Sequence, residues 1–277
     1  MKKVLFLLLG FYVKTIVSRW RKQSSQLPSM EEVSQAINGF VLNKDAEKQG
    51  KFQRRIVRYC LLSWTMCLTS LSACFKNDSF QDHKKYIEKG LMTEAEFQAL
   101  IANTGSQSKE GEGGWTDQWH IPLGWATLMC TEGAVGEDVY IKKEHKFITK
   151  AIAGIQKKLE GIIEHFHNPI PTIMTQAVTI GCWGFLICSV VSGQQVEDID
   201  RAGEVNFGIL WILDWPFLHM VQILLVFGWL RVGMYLQNPF EYDDGFGIDL
   251  KKRLEYEIWK SSYMISNSFI PASLTTY

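Results

Sequence analysis

The sequence predicts an all-α membrane protein, and three observations carry that prediction. Residues 170–191, IPTIMTQAVTIGCWGFLICSVV, contain no charge, and residues 205–230, VNFGILWILDWPFLHMVQILLVFGWL, form a second apolar run. At 1.5 Å per residue each is long enough to cross a hydrocarbon core of roughly 30 Å. Outside these runs the apolar residues recur three and four apart, the spacing of helix faces. Finally, Lys and Arg sort by side. The loop 193–204 holds one basic residue, Arg201, whereas 14–168 and 250–260 are rich in them. The positive-inside rule places the latter two in the cytosol.

Composition narrows the function classes. Lys plus Arg and Asp plus Glu balance at 29 each in 277 residues, which favours neither nucleic acid nor an acidic partner. Aromatics make up 13%, including ten Trp, many beside apolar runs, as expected where rings lie at a membrane interface. Of the six cysteines, Cys60, Cys67 and Cys74 recur every seven residues in one helical segment. That spacing sets them roughly 10 Å apart along the axis, too far to bridge one another. Cys182 and Cys188 lie in an apolar run, and no pair has C-x-x-C spacing. The cysteines therefore read as reduced, against secretion and against a zinc or redox site.

The chain opens with MKKVLFLLLGFYVKTIVSRW, residues 1–20. A basic start and an apolar core fit a signal peptide; they also fit the end of a membrane helix. The reduced cysteines and the two later spans select the helix. Residues 21–168 then read as a cytosolic helical region. Pro28-Ser29 with Glu31-Glu32 marks a helix start, and helices are predicted over 30–42 and 46–75. In the second, Ile56, Val57, Tyr59, Cys60, Leu61, Trp64, Cys67, Leu68 and Leu71 form a buried face. Arg54, Arg55 and Arg58 lie opposite, on a face that is either solvated or set against a partner. Thr93 and Glu96 have capping-box spacing for a short helix from Met92. Residues 103–114, NTGSQSKEGEGG, are a loop, and Trp115, Trp119, Pro122 and Trp125 mark a return to buried structure. An amphipathic helix is predicted over 139–166, with Ile141, Phe147, Ile148, Ile152, Ile155, Leu159, Ile162 and Ile163 on its apolar face and Pro169 as its terminator. His165 and His167, two apart, point in different directions and lack a third ligand, so a metal site there is not expected.

The membrane part then follows as a span over 169–192, an extracellular loop over 193–204, a span over 205–236 and a cytosolic segment over 237–277. Gly181, Cys182 and Gly184 suit close helix packing in lipid. Asp214, Pro216 and His219 sit inside the second span, where ionisable groups normally face protein or a water-filled path. A chain that starts outside without a signal sequence implies a preceding helix. Enzyme chemistry finds no support, since G-x-S-x-G, the P-loop and H-E-x-x-H are all missing from the sequence.

Several short words, in order, resemble the bestrophin family. They are GFYV at 10–13, Arg19-Trp20 with Gln23 and Leu27-Pro28, Gly39-Phe40-Val41, and Arg54-Arg55-x-x-Arg58-Tyr59. Gly90-Leu91-Met92-Thr93, Ile121-Pro122 and Ile170-Pro171 with Thr175-Gln176 follow, then Gly228-Trp229-Leu230-Arg231-Val232 before Asn238-Pro239-Phe240. The resemblance implies a multi-pass plasma-membrane channel, an all-helical homopentamer or a hetero-oligomer with other bestrophins, conducting chloride and other anions and opened by cytosolic calcium. By position, the narrow pore neck falls on Lys3, Leu7 and Phe11, one side chain per turn, and the cytosolic aperture on Ile170. Apolar rings of this kind gate by expelling water. A calcium clasp is implied after Asn-Pro-Phe, with Asn238, Glu241, Asp243 and Asp244 as its ligands.

Three departures qualify these expectations. The family's first membrane helix and the start of its second have no counterpart here, so residues 1–20 read as an N-terminally truncated pore helix. Lys3 stands where the family has an apolar neck residue. The acidic run is thinner than the family's, and calcium takes 6–8 oxygen ligands, so the same run also reads as an acidic turn without an ion. The alternative function is that of a non-conducting or modulatory truncated subunit.

Overall fold

The computed structural model describes residues 2–41, 45–71, 82–104, 115–135, 145–193, 209–237, 240 and 248–266. Among them every regular element is helical: α1 (Lys2–Ser25), α2 (Glu31–Phe40), α3 (Ala46–Leu71), α4 (His83–Glu88), α5 (Glu94–Thr104), α6 (His120–Val135), α7 (His145–His167), α8 (Thr172–Gly193), α9 (Ile209–Leu236) and α10 (Leu250–Ser266), with a 3₁₀ turn at Thr116–Gln118. The chain divides into two units. One holds residues 1–24 and 168–239, the other 25–167 and 240–277.

The larger unit is built around α3. Its predicted face is buried from Ile56 to Leu68, together with Leu62 and Met66. Against it pack α6, α7 and α10, with α2 beside α7 and α10. Burial at Ile148, Ile152, Ile155, Leu159 and Ile162 follows the expected face of α7. Phe147 departs from that expectation. It is 56% exposed and lies flat on Phe40, ring centroids 5.1 Å apart. Trp115, Trp119 and Trp125 are partly buried against the same core. Burial pushes the Cys67 and Cys130 thiols up to about 12 and Cys60 higher still, so all three stay protonated. Cys60, Cys67, Cys130, Cys182 and Cys188 are free.

The word Gly90-Leu91-Met92-Thr93 is a helix-to-helix joint. Gly90 takes φ +68°, a conformation other residues resist, and Leu91 N–H bonds back to Tyr86 O at 2.9 Å to close α4. Leu91 and Met92 then enter the core. The capping box is formed: Thr93 N–H donates to the Glu96 carboxylate at 2.8 Å, and Glu96 N–H donates to Thr93 Oγ1 at 3.4 Å.

Glu96 also resolves the arginines of α3. Arg54 and Arg55 are exposed, but Arg58 pairs with Glu96, Nη1 to Oε2 at 2.7 Å, and donates to Leu91 O at 3.0 Å. Tyr59 adds its hydroxyl to Glu96 at 2.8 Å. Arg58 is thus largely withdrawn from solvent; it ties α3 to the start of α5. Burial would raise the Glu96 pKa, but Arg58, the Thr93 amide and Tyr59 together pull it down to about 2.

α10 closes this unit through polar contacts. Glu257, fully buried, accepts from Met30 N–H at 2.9 Å and from Ser29 Oγ at 3.5 Å. It caps α2, whose own N-cap residue, Met30, supplies no side-chain acceptor. Arg253 sits 3.1 Å from the other Glu257 oxygen. Lys260 pairs with Glu31 at 2.6 Å, and Asn38 donates to Met264 O at 2.9 Å.

In the smaller unit, α8 and α9 pack together, with Trp183 edge-on to Phe227 at 5.4 Å. One boundary moves relative to the sequence expectation. α1 runs past Trp20 to Ser25, because Pro28 is the first residue able to stop it. α9 is described from Ile209 and ends at Leu236, just before Asn238-Pro239. Within α8, Thr172–Val190 is long and apolar enough to cross a membrane, and most of it is exposed. In α9 the apolar stretch among residues with described side chains is Met220–Leu236. The side chains of Asp214, Pro216 and His219 lie outside the described residues.

A candidate pore helix and its packing

α1 is apolar on two faces with different surroundings. Leu5, Leu9, Tyr12, Val13 and Ile16 are buried in a cluster with Ile170, Val178, Cys182, Phe185, Val226 and Leu230. Val4, Leu7, Leu8 and Phe11 are exposed, Leu7 at 62% and Phe11 at 60%, and Lys3 is exposed on the same side. At about 100° per residue, the face of Lys3, Leu7 and Phe11 lies opposite the face of Leu5, Leu9, Tyr12 and Ile16. A helix apolar all round needs cover on both sides; here one side has it from its own chain.

Packing explains which face turns inward. Tyr12 is 1% exposed, and its hydroxyl donates to Thr175 Oγ1 on α8 at 3.3 Å. Its ring lies against Gly233 of α9, where an added Cβ would come within 2.7 Å of the ring edge. Gly181 of α8 receives Leu5, whose Cδ1 would lie 3.1 Å from a Cβ there. Two glycines therefore let α1 approach both neighbouring helices. Gly181 was expected to serve close packing and does, whereas Gly184 has open space around it. Gly233 escaped sequence reasoning. Its only signal was a glycine inside an apolar helix, which does not say what approaches it.

The other predicted site residues are placed differently. Ile170 is 5% exposed and shares the cluster of α1's inward face, so it is not brought together with Lys3, Leu7 and Phe11. Asn238, Glu241, Asp243 and Asp244, the implied calcium ligands, lie outside the described residues. The described residues nearest that run are Gln237, Phe240 and Ile248, and Phe240 is buried in the core of the larger unit.

Comparison with known proteins gives this geometry a family. Residues 2–266 match the family profile described as "Bestrophin, RFP-TM, chloride channel". The chain is 27% identical to Bestrophin homolog 13 of Caenorhabditis elegans over 249 residues, covering 86% of this chain and 54% of that protein. It is 27% identical to human Bestrophin-1 over 241 residues, covering 85% and 38%, and 25% identical to mouse Bestrophin-2 over 237 residues, covering 85% and 44%. The chain thus spans about half the length or less of these curated relatives. A crystal structure of a variant of the bacterial bestrophin homologue from Klebsiella pneumoniae superposes with a TM-score of 0.67 at 14% identity, covering 96% of this chain and 85% of that one. A second variant of that homologue gives 0.62, also at 14%, covering 95% and 85%. With the profile matching from the first turn of α1 to the end of α10, this chain belongs to the bestrophin family.

Proposed function

We propose that this chain is a subunit of a chloride-conducting anion channel in the plasma membrane, a channel and not an enzyme. Five copies of α1 would surround a central pore, with Lys3, Leu7 and Phe11 as successive rings of its neck and Ile170 at the cytosolic aperture. The observation that carries the reading is the two-faced α1. One face is packed by α8 and α9, and the opposite face offers an unbroken apolar stripe through Leu7 and Phe11. A ring of such residues passes ions only when it widens enough to hold water. Lys3 on the same face adds positive potential that favours anions over cations. Ile170, covered in a single chain, would serve the aperture only after turning out of its cluster.

Calcium regulation belongs to the same proposal. Asn238 through a backbone carbonyl, and Glu241, Asp243 and Asp244 through carboxylates, supply the oxygen ligands that calcium prefers. The membrane path is residues 1–20 inward, 169–192 outward and 205–236 inward, with 21–168 and 237–277 in the cytosol. The positive-inside asymmetry supports that orientation.

The test is to reconstitute the purified chain in planar bilayers and record current while calcium and the salt gradient vary. Anion-selective current that rises with calcium is expected, and a Leu7→Ala, Phe11→Ala double variant should remove the gating dependence while conduction remains. A folded oligomer silent at every calcium level would overturn the reading. A calcium response unchanged by Asp243→Ala and Asp244→Ala would overturn the clasp.

A further inference from the structure

We propose that Tyr12 is a positioning residue that sets the rotation of α1, and hence the direction in which Leu7 and Phe11 point, through its hydroxyl on Thr175 and its ring on Gly233. The functional consequence rests on the conduction reading above; the structural part does not. Tyr12 directly follows Phe11, so on a helix its side chain is turned by about 100° from the proposed gate. It is anchored to both partner helices of its unit at once. The Thr175 hydroxyl fixes it to α8 at 3.3 Å, and Gly233 leaves the flat space on α9 that the ring fills. Leu5, Leu9 and Ile16 are apolar and would tolerate a small rotation of α1 with little change in burial. A hydrogen bond would not, because its strength falls steeply with angle. In an apolar setting the hydroxyl also has few other partners, which makes the bond selective for one rotation.

Thr175 has a second role that sharpens the point. Its backbone oxygen accepts from Thr179 Oγ1 at 2.7 Å. The acceptor for Tyr12 therefore sits in the first turn of α8, where Met174 N–H bonds back to Pro171 O at 3.0 Å. That turn begins directly after Ile170-Pro171. The same contact that orients α1 thus ends four residues past Pro171, about one helical turn from the residue proposed for the aperture.

The experiment uses the full chain in liposomes with Leu7→Cys as a reporter and a polar thiol reagent as probe. A chain retaining Leu7 supplies the background from native cysteines such as Cys188. Tyr12→Phe removes only the hydroxyl, and Thr175→Val removes only its partner. Each is expected to change the labelling rate at position 7 by about threefold to tenfold, the scale of one hydrogen bond. The double variant should do no more than either single one. Thr175→Ser should restore the original rate. Gly233→Ala, which displaces the ring, should act in the same direction. Open probability should shift in step, while anion selectivity stays the same. Labelling that stays within twofold in Tyr12→Phe and Thr175→Val, with both chains folded, would overturn the inference even if current flows. A labelling shift in a chain that passes no current would uphold the positioning role and overturn the conduction reading instead. Both hydroxyl variants are small deletions, so the outcome does not depend on Gly233→Ala folding.

Discussion

The two units of this molecule bury apolar residues by opposite arrangements. In the larger unit, most apolar side chains point in, most charges point out, and several buried polar groups are held by partners on other helices. Arg58 and Glu96 form an ion pair, Glu257 caps α2, and Thr69 bonds Tyr86 at 2.8 Å. That is the pattern of a protein folded in water. In the smaller unit the inward cluster is modest, and each of its three helices also exposes large apolar side chains. Val4, Leu7 and Phe11 of α1, Ile173, Ile180 and Ile187 of α8, and Leu224, Trp229 and Val232 of α9 are all exposed. So much contiguous apolar surface is not left to water. The contrast teaches that one chain is written for two solvents, and that the outward face, not the core, says which solvent each part meets.

The most severe way to strain the comparison is to hollow the water-type core. Trp64 is fully buried at the centre of α3, and Trp64→Ala should cost about 3–5 kcal/mol, read as a large drop in the thermal transition of the purified chain. A direct test of the two-solvent reading places one change on both outward faces. Ile180→Lys in α8 should cost about 2.5–3.5 kcal/mol of membrane insertion, measured by the membrane-integrated fraction after expression. Ile101→Lys, on the exposed side of α5, should stay within about 0.5 kcal/mol. Equal effects at the two positions would remove the distinction.

Acid sharpens the role of the buried pair. The Glu96 carboxyl is pulled down to about 2 from its ordinary value of 4.5. Its stabilisation is therefore complete above about pH 4.5 and is lost as pH falls toward 2. Glu96→Gln should cost on the order of 1–3 kcal/mol at neutral pH. It should also flatten the acid limb of stability measured by denaturant titration at several pH values. A smaller effect is expected for Glu257→Ala, which removes the cap of α2 and should cost about 1–2 kcal/mol. Hydrogen exchange at the start of α2 would report it, while α8 is expected to stay unchanged. The least effect belongs to Lys51→Ala. Its pairing with Glu47 is open to solvent on both sides and should contribute no more than about 0.5 kcal/mol.

What the sequence determined by itself was the element type and the family. Helices follow from a 3.6-residue period, the capping box from Thr93 and Glu96, and the stop near His167 from Pro169, all of which act over a few residues and so leave local signals. The short words in order from GFYV to Asn-Pro-Phe were legible for the same reason. The helical period puts Lys3, Leu7 and Phe11 on one face of α1; that this face is the exposed one was decided by the packing of the opposite face on α8 and α9. Only the tertiary structure decided the rest. Arg58 finds Glu96 38 residues away, and Glu257 caps α2 from 227 residues away. Tyr12 reaches Thr175 across 163 residues. Ile170 turned out to share a cluster with the inward face of α1 rather than stand apart. No local pattern encodes such pairs, because each depends on which helices meet and at what separation. Gly233 shows why: its missing side chain acquires meaning only when the ring of Tyr12 arrives from another helix.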